Sequence, residues 1–280
     1  MSIRVGEQLL ELDRQEMIDK ATSIVKTAQD KGITMRVLGA TAFVIHCPNY
    51  RHLHDTLKRK LTDIDFVAYR KQWKQIREIF KKDLQWKEPA AYMMAVASRL
   101  IFFDPKNEDL HSDIFFDKLE FCHDIPFQGR LEADYPTLPL AELLLEKLQI
   151  VKINEKDIID VIMLIREHEV GNSDKEVINA DRIAKLFSED WGFYYTGTTN
   201  LKRVRDEFIP SYPALKEEDR SNITGKINQL LERVENEPKS MGWRMRAKVG
   251  TSRKWYRDGI EEVSRDQTEG GLSGYGDQKI

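Results

Sequence analysis

Cysteine is scarce in this 280-residue chain, which carries only Cys47 and Cys122. Two thiols build no disulfide framework, and neither belongs to a Cys-x-x-Cys pair of the kind that holds zinc. Long apolar runs are missing as well. Stretches such as Ala90–Ala97 fall far short of the roughly 20 residues a membrane-spanning helix needs. The opening Met1-Ser2-Ile3-Arg4-Val5-Gly6-Glu7 lacks the apolar block of a secretion signal. Neither sign of charge dominates: 44 Lys+Arg face 47 Asp+Glu, a net charge of −3, which excludes coating nucleic acid by bulk charge. The histidines His46, His52, His54, His111, His123 and His168 have no zinc-type spacing. No internal repeat is present. Apolar residues are plentiful, 41% of the chain and spread along most of it, so a disordered polymer is excluded too. The expected class is a cytoplasmic globular protein with no membrane partner and enough chain for one large core or two smaller ones.

Periodicity then places the elements. Met17, Ile18, Ala21, Ile24, Val25 and Ala28 follow helical spacing within Leu12–Lys31, and Gly32 stands where a C-cap glycine belongs. Thr34–Leu38 reads as a strand that ends at Gly39, and Ala40–Cys47 as a short helix closed by Pro48. Asn49–Lys60 has no apolar period and reads as a basic loop. Ile64–Ala68 is a second strand, and Lys71–Leu84 an amphipathic helix with Trp73, Ile76 and Phe80. Leu100–Phe103 and Ile114–Phe116, separated by the turn-rich Asp104–Asp109, predict a hairpin-like pair. Beyond Gly129 the pattern is helical, first around Leu140–Val151 and then over Ile158–Ile165. Strands early and helices late describe an α/β head followed by helices. The expected organisation is a first unit over 1–170, a helical unit over 171–265 and a disordered tail over 266–280, with Gly171-Asn172-Ser173 as the boundary.

Asp63-Ile64-Asp65 is the first group that suggests chemistry. Side chains two apart in a strand point the same way, so both carboxylates can meet one divalent cation. An isolated Asp-x-Asp is common, and context is what gives it weight. Upstream, Gly39 sits at a strand-to-helix turn, where backbone amides and the helix N-terminus can receive a phosphate. Downstream, Asp113 opens another apolar strand. Three carboxylates and a phosphate-binding turn are what a two-metal phosphoryl-type transfer requires.

In this order Leu38-Gly39-Ala40, Thr62-Asp63-Ile64-Asp65-Phe66-Val67 and Asp113-Ile114-Phe115-Phe116 resemble the polymerase-beta-like nucleotidyltransferase superfamily. Leu138–Gln149 and Lys156-Asp157-Ile158-Ile159-Asp160-Val161 resemble the lysine-bearing and Lys-Asp-x-x-Asp helices of bacterial nucleotidyltransferases related to abortive-infection toxins. Residues 33–170 carry the likeness. It implies an α/β (α+β) fold, a nucleotidyltransferase-type mixed sheet flanked by helices and followed by a mainly helical C-terminal domain. It also implies that Asp63, Asp65 and Asp113 bind Mg²⁺ or Mn²⁺ and carry the catalysis. Gly39, Ala40 and Thr41 would line the nucleoside triphosphate, Lys147 would neutralise its phosphates, and Asp157 and Asp160 would support from behind. Ala40 replaces the family's second Gly or Ser, Ser112 replaces an apolar residue, and Asn49–Lys60 lengthens the interval between turn and acids.

The residues alone leave other readings open. Lys147 either snorkels from its apolar stripe or points into a polar site. Asp157 caps a helix, faces solvent or serves the site, and Asp117 either shares Asp113's face or ends the strand. His52-Leu53-His54 either lines a substrate entrance or is polar loop. Cys122-His123 is rejected as a nucleophile pair because neighbours in a strand face opposite ways. Trp243–Lys248 and Arg253–Arg257 mix cations with aromatics, suited either to nucleic acid or to docking on the head. The expected activity is transfer of a nucleoside monophosphate from an NTP to an acceptor: small molecule, protein or RNA. A non-catalytic nucleotide- or partner-binding module and an RNA-binding adaptor are the alternatives.

Overall fold

The computed structural model describes residues 2–57, 61, 63–89, 99–107 and 109–258, with side chains in the first helix from Arg14 onward. The expected tail over 266–280 and the basic residues Lys58, Arg59 and Lys60 lie outside the described residues.

Helix α1 spans Ser2–Asp30, starting well before the expected Leu12. Met17, Ala21, Ile24, Val25 and Ala28 form its buried stripe. Gly32, at φ +73°, ends it, and the Ile33 amide reaches back 3.0 Å to the Ala28 carbonyl, a Schellman closure. Strand β1 (Met35–Leu38) follows and passes without a loop into α2 (Gly39–His46). The sequence that reads as a loop after Pro48 is in part a 3₁₀ helix, Arg51–Leu57. Its period escapes an α-helical template: the inward side chains Leu53 and His54 are neighbours in sequence and set no helical spacing.

Strands β2 (Asp65–Ala68), β3 (Arg99–Phe103) and β4 (His111–Phe116) complete a four-stranded sheet in the order β1-β2-β4-β3. β2 and β4 are parallel and the other pairs antiparallel, so the sheet is mixed. The expected hairpin is the β3–β4 pair. The helix expected over Lys71–Leu84 is α3 (Trp73–Glu78), continued by a wider π turn over Ile79–Asp83. The widening closes with the Leu84 amide on the Ile79 carbonyl and leaves Phe80 stacked on Phe102, centroids 4.6 Å apart. Such a pair contributes roughly 0.5–1.5 kcal/mol beyond its burial.

Two short strands, β5 (Lys118–Glu120) and β6 (Asp124–Pro126), lead to helices α4 (Leu140–Leu148) and α5 (Glu155–Glu167). Asn154 caps α5 by accepting from the Asp157 amide, so Asp157 is free of the capping role. The short parallel pair β7 (Glu169–Gly171) and β8 (Val177–Asn179) flanks the expected boundary. Helices α6 (Ala180–Glu189), α7 (Trp191–Arg203), α8 (Glu217–Asn236) and α9 (Met241–Val249) make up the mainly helical C-terminal part. One continuous cluster of buried apolar side chains runs from Met17 through α4 and α5 to Val234. No helix among the described residues is long and apolar enough to cross a membrane.

Candidate active site

The predicted residues gather at one end of the sheet because of its strand directions. β1 ends where its antiparallel partner β2 begins, with Leu38 opposite Asp65. β4 begins at the same end, and its register of Phe66 with Ile114 sets Asp65 beside Asp113. Asp63 extends the pairing through a bridge to His111. Three separated acids thus share one rim.

Gly39 makes the rim compact. Its φ is +71°, and a Cβ there would lie 3.2 Å from the Asp65 Cβ and Cγ and nearer still to Oδ2. Any side chain would strike the Asp65 carboxylate and strain the backbone, so glycine is the residue that fits. Thr41, buried in the first turn of α2, donates its hydroxyl to the Asp63 carbonyl at 3.3 Å, tying helix to acid segment. Ala40 is buried beside it.

The electrostatics are adverse. Asp65 is pushed well above the ordinary carboxylate range, first by burial and then by the charges of Asp63, Asp113 and Glu146, with Lys147 opposing. Glu146 is likewise raised, mainly by burial. Asp113 Oδ2 pairs with Arg99 Nη1 at 3.1 Å, and the same guanidinium lies over Phe115. Among the described residues no three His, Cys, Asp or Glu side chains are already grouped as a metal-ligand set.

The second wall comes from α4. Residues just before it extend the sheet, with the Val37 amide on the Pro136 carbonyl and the Leu138 amide on the Val37 carbonyl. That edge delivers α4 with Glu146 and Lys147 toward the rim. Lys147 does not snorkel outward. Its Nζ lies 3.2 Å from Asp157 Oδ1, 3.2 Å from Asp160 Oδ2 and 3.4 Å from Glu146 Oε1, above the Phe43 ring. Glu146 Oε2 accepts the Gly39 amide at 3.1 Å, linking the lysine cluster to the turn.

Sequence reasoning had not assigned Glu146, Arg99 or His54. Glu146 reads as one more acid in an amphipathic helix, and its only signal is an ionisable pair, Glu146-Lys147, inside a helix where every residue is buried. Arg99 carries no motif. His54 does not line an entrance: it is buried, with Nε2 2.6 Å from Asp160 Oδ1. Asp117 is the strand-ending residue, at φ +61° with Oδ1 accepting the Arg70 amide.

The aromatic and basic C-terminal residues lie elsewhere and are largely engaged within the chain. Trp255 Nε1 donates to Thr196 Oγ1 at 3.0 Å, Arg257 pairs with Asp124, and Arg246 sits over Trp191 at 4.8 Å. His123 stacks on Phe193 with centroids 5.0 Å apart and bonds Thr196, so it takes no part with Cys122.

No family model matches the chain, and no curated protein does. Among solved structures, the chain is similar to the solution structure of the antibiotic-resistance factor ANT(2'')-Ia. That likeness covers 62% of this chain and 94% of the other at 13% identity, with a TM-score of 0.38.

Proposed function

We propose that the chain is a metal-dependent nucleotidyltransferase that moves a nucleoside monophosphate from an NTP to an acceptor hydroxyl and releases pyrophosphate. One observation carries the reading. The half-buried Asp65 carboxyl is packed against a glycine turn and raised in pKa, first by desolvation and then by three neighbouring acids, with Lys147 opposing. Structure alone gains nothing from such crowding, since like charges in a desolvated rim oppose folding. A site that binds cations and phosphate does gain.

The donor chemistry fits a hard divalent cation: carboxylate oxygens from Asp63, Asp65 and Asp113 on one rim. These three would hold Mg²⁺ or Mn²⁺, which when bound polarises the α-phosphate and offsets charge on the departing pyrophosphate. The chain's own residues do the rest. The Gly39 turn admits a phosphate close to backbone, the N-terminus of α2 favours its charge, and Lys147 supplies the positive charge of the opposite wall. Arg99 orients Asp113 at the rim. Catalysis by such a site is positioning and charge neutralisation and needs no covalent intermediate.

The reading is tested by pyrophosphate release from each NTP with Mg²⁺ or Mn²⁺ and a panel of hydroxyl acceptors. Activity lost in Asp63→Asn/Asp65→Asn supports it; equal release by wild type and variant removes it. One observation favours a binding module instead. The Gly39 amide is taken by Glu146 and the Thr41 hydroxyl by the Asp63 carbonyl, leaving fewer donors for a phosphate. Metal-dependent nucleotide binding without turnover on any acceptor would select that alternative.

A further inference from the structure

His54 stands apart from every motif, yet it is joined to the lysine wall. The 3₁₀ segment that carries it is pinned from the C-terminal half, where the Tyr212 hydroxyl donates to the Leu53 carbonyl at 3.3 Å. His54 is 1% exposed and Asp160 fully buried. Asp160 joins His54 to Lys147: Oδ1 lies 2.6 Å from His54 Nε2, and Oδ2 lies 3.2 Å from Lys147 Nζ. His54 Nδ1 is buried with no hydrogen-bond partner among the described residues. A proton on Nδ1 would be an orphaned buried donor, so the bonding pattern puts it on Nε2 and makes the ring a donor to Asp160.

We infer that His54 is a positioning residue: by fixing the Asp160 carboxylate it sets where Lys147 Nζ stands, and through the lysine it sets affinity for the triphosphate. The inference rests on the nucleotidyl-transfer reading of the site. A lysine ammonium is a point charge on a flexible stem, so its place is decided by the anions around it. Three carboxylates compete for Lys147. With one oxygen of Asp160 committed to His54, the carboxylate cannot swing to chelate the ammonium and draw it deeper into α5. His54 also takes part of the Asp160 charge and leaves more of the lysine's own for a phosphate. Packing alone would be served as well by an apolar ring, without the cost of burying a polar pair.

The test is nucleotide affinity, and KM against kcat, for His54→Ala, His54→Gln and His54→Asn in wild-type and Lys147→Met backgrounds, with thermal melting of each variant alongside. The expected result is a rise in Kd and KM of about tenfold for His54→Ala with kcat little changed. Gln, whose amide can reach Asp160, should recover most of the loss, and the shorter Asn should not. In the Lys147→Met background His54→Ala should cause no further loss. Should His54→Ala not fold, the Gln-to-Asn affinity ratio carries the same test. Unchanged affinity in the folded variants, or an equal loss with and without Lys147, overturns the inference while the nucleotide reading stands. A wild-type protein that binds no NTP overturns both.

Discussion

The sheet rim and the seam between α4 and the C-terminal part treat their charges in opposite ways. At that seam buried charge is matched. Glu142 is fully buried yet accepts from Arg130 at 2.6 Å and from Arg182 at 2.8 Å, while Asp174 takes the remaining face of Arg130. Asp174 is lowered and Arg130 raised, as satisfied ion pairs are. At the rim, acids crowd acids and Asp65 is raised instead. One arrangement is satisfied within the chain; on the proposed function, the other gains its stability when a cation and a phosphate bind.

The sharpest way to break that comparison is to remove a rim charge. Asp65→Asn should abolish transfer, by about 10³-fold or more as for loss of a key electrostatic group, and at the same time raise Tm in the metal-free protein. A parallel activity assay and melt check both halves of this outcome. The matched region should respond in the other direction. Glu142→Ala strands two arginines and should cost about 3 kcal/mol or more, read as a fall in the urea midpoint.

Acid titration separates the regions next. His46, whose side chain is largely enclosed and bonded to Thr137, is held down to about 4 by desolvation and by His168. Unfolded chains protonate histidine near 6.5, so they bind the extra proton first, and stability falls as pH drops from about 6.5 toward 4. The His46 share is about 2 kcal/mol by pH 5, and His46→Gln should flatten that limb. Asp65 acts with the reverse slope. Its folded form keeps its proton longer than the unfolded chain, so its contribution fades as pH rises above the ordinary carboxylate range. Asp65→Asn should therefore remove the fall that sets in above the ordinary carboxylate range and leave the His46 slope in place.

The smallest effect is expected at the C-terminus. Charge reversal at Arg253, Lys254 and Arg257 should leave the melting temperature nearly unchanged, since the Arg257–Asp124 and Lys254–Asp258 pairs are solvent-facing. RNA binding that is lost in this triple variant would revive the adaptor alternative; gel shifts across a salt series decide it.

How much of this the sequence disclosed follows from what each signal depends on. The Gly39 turn, β2 and the β3–β4 pair were legible because period-two apolar runs and turn residues are local. The convergence of Asp63, Asp65 and Asp113 on one rim was expected from their order, and strand register places them there. Lys147 was ambiguous locally, since a lysine in a leucine stripe fits two rotamers until Asp157 and Asp160 from another helix fix one. Glu146 and Arg99 depend on partners 107 and 14 residues away, which no window reads. The 3₁₀ segment was missed because Leu53 and His54, its inward pair, are adjacent in sequence and show no period.

In the proposed function the rim of Asp63, Asp65 and Asp113 is a cation and phosphate site. It is tested most directly by melting the wild-type protein and Asp63→Asn/Asp65→Asn with Mg²⁺ or Mn²⁺ and each NTP in turn. The account predicts a variant that melts higher than wild type alone, and a wild type that gains stability only when metal and nucleotide are present together. A wild type indifferent to every metal–nucleotide pair, or a variant that gains as much as wild type, would contradict it.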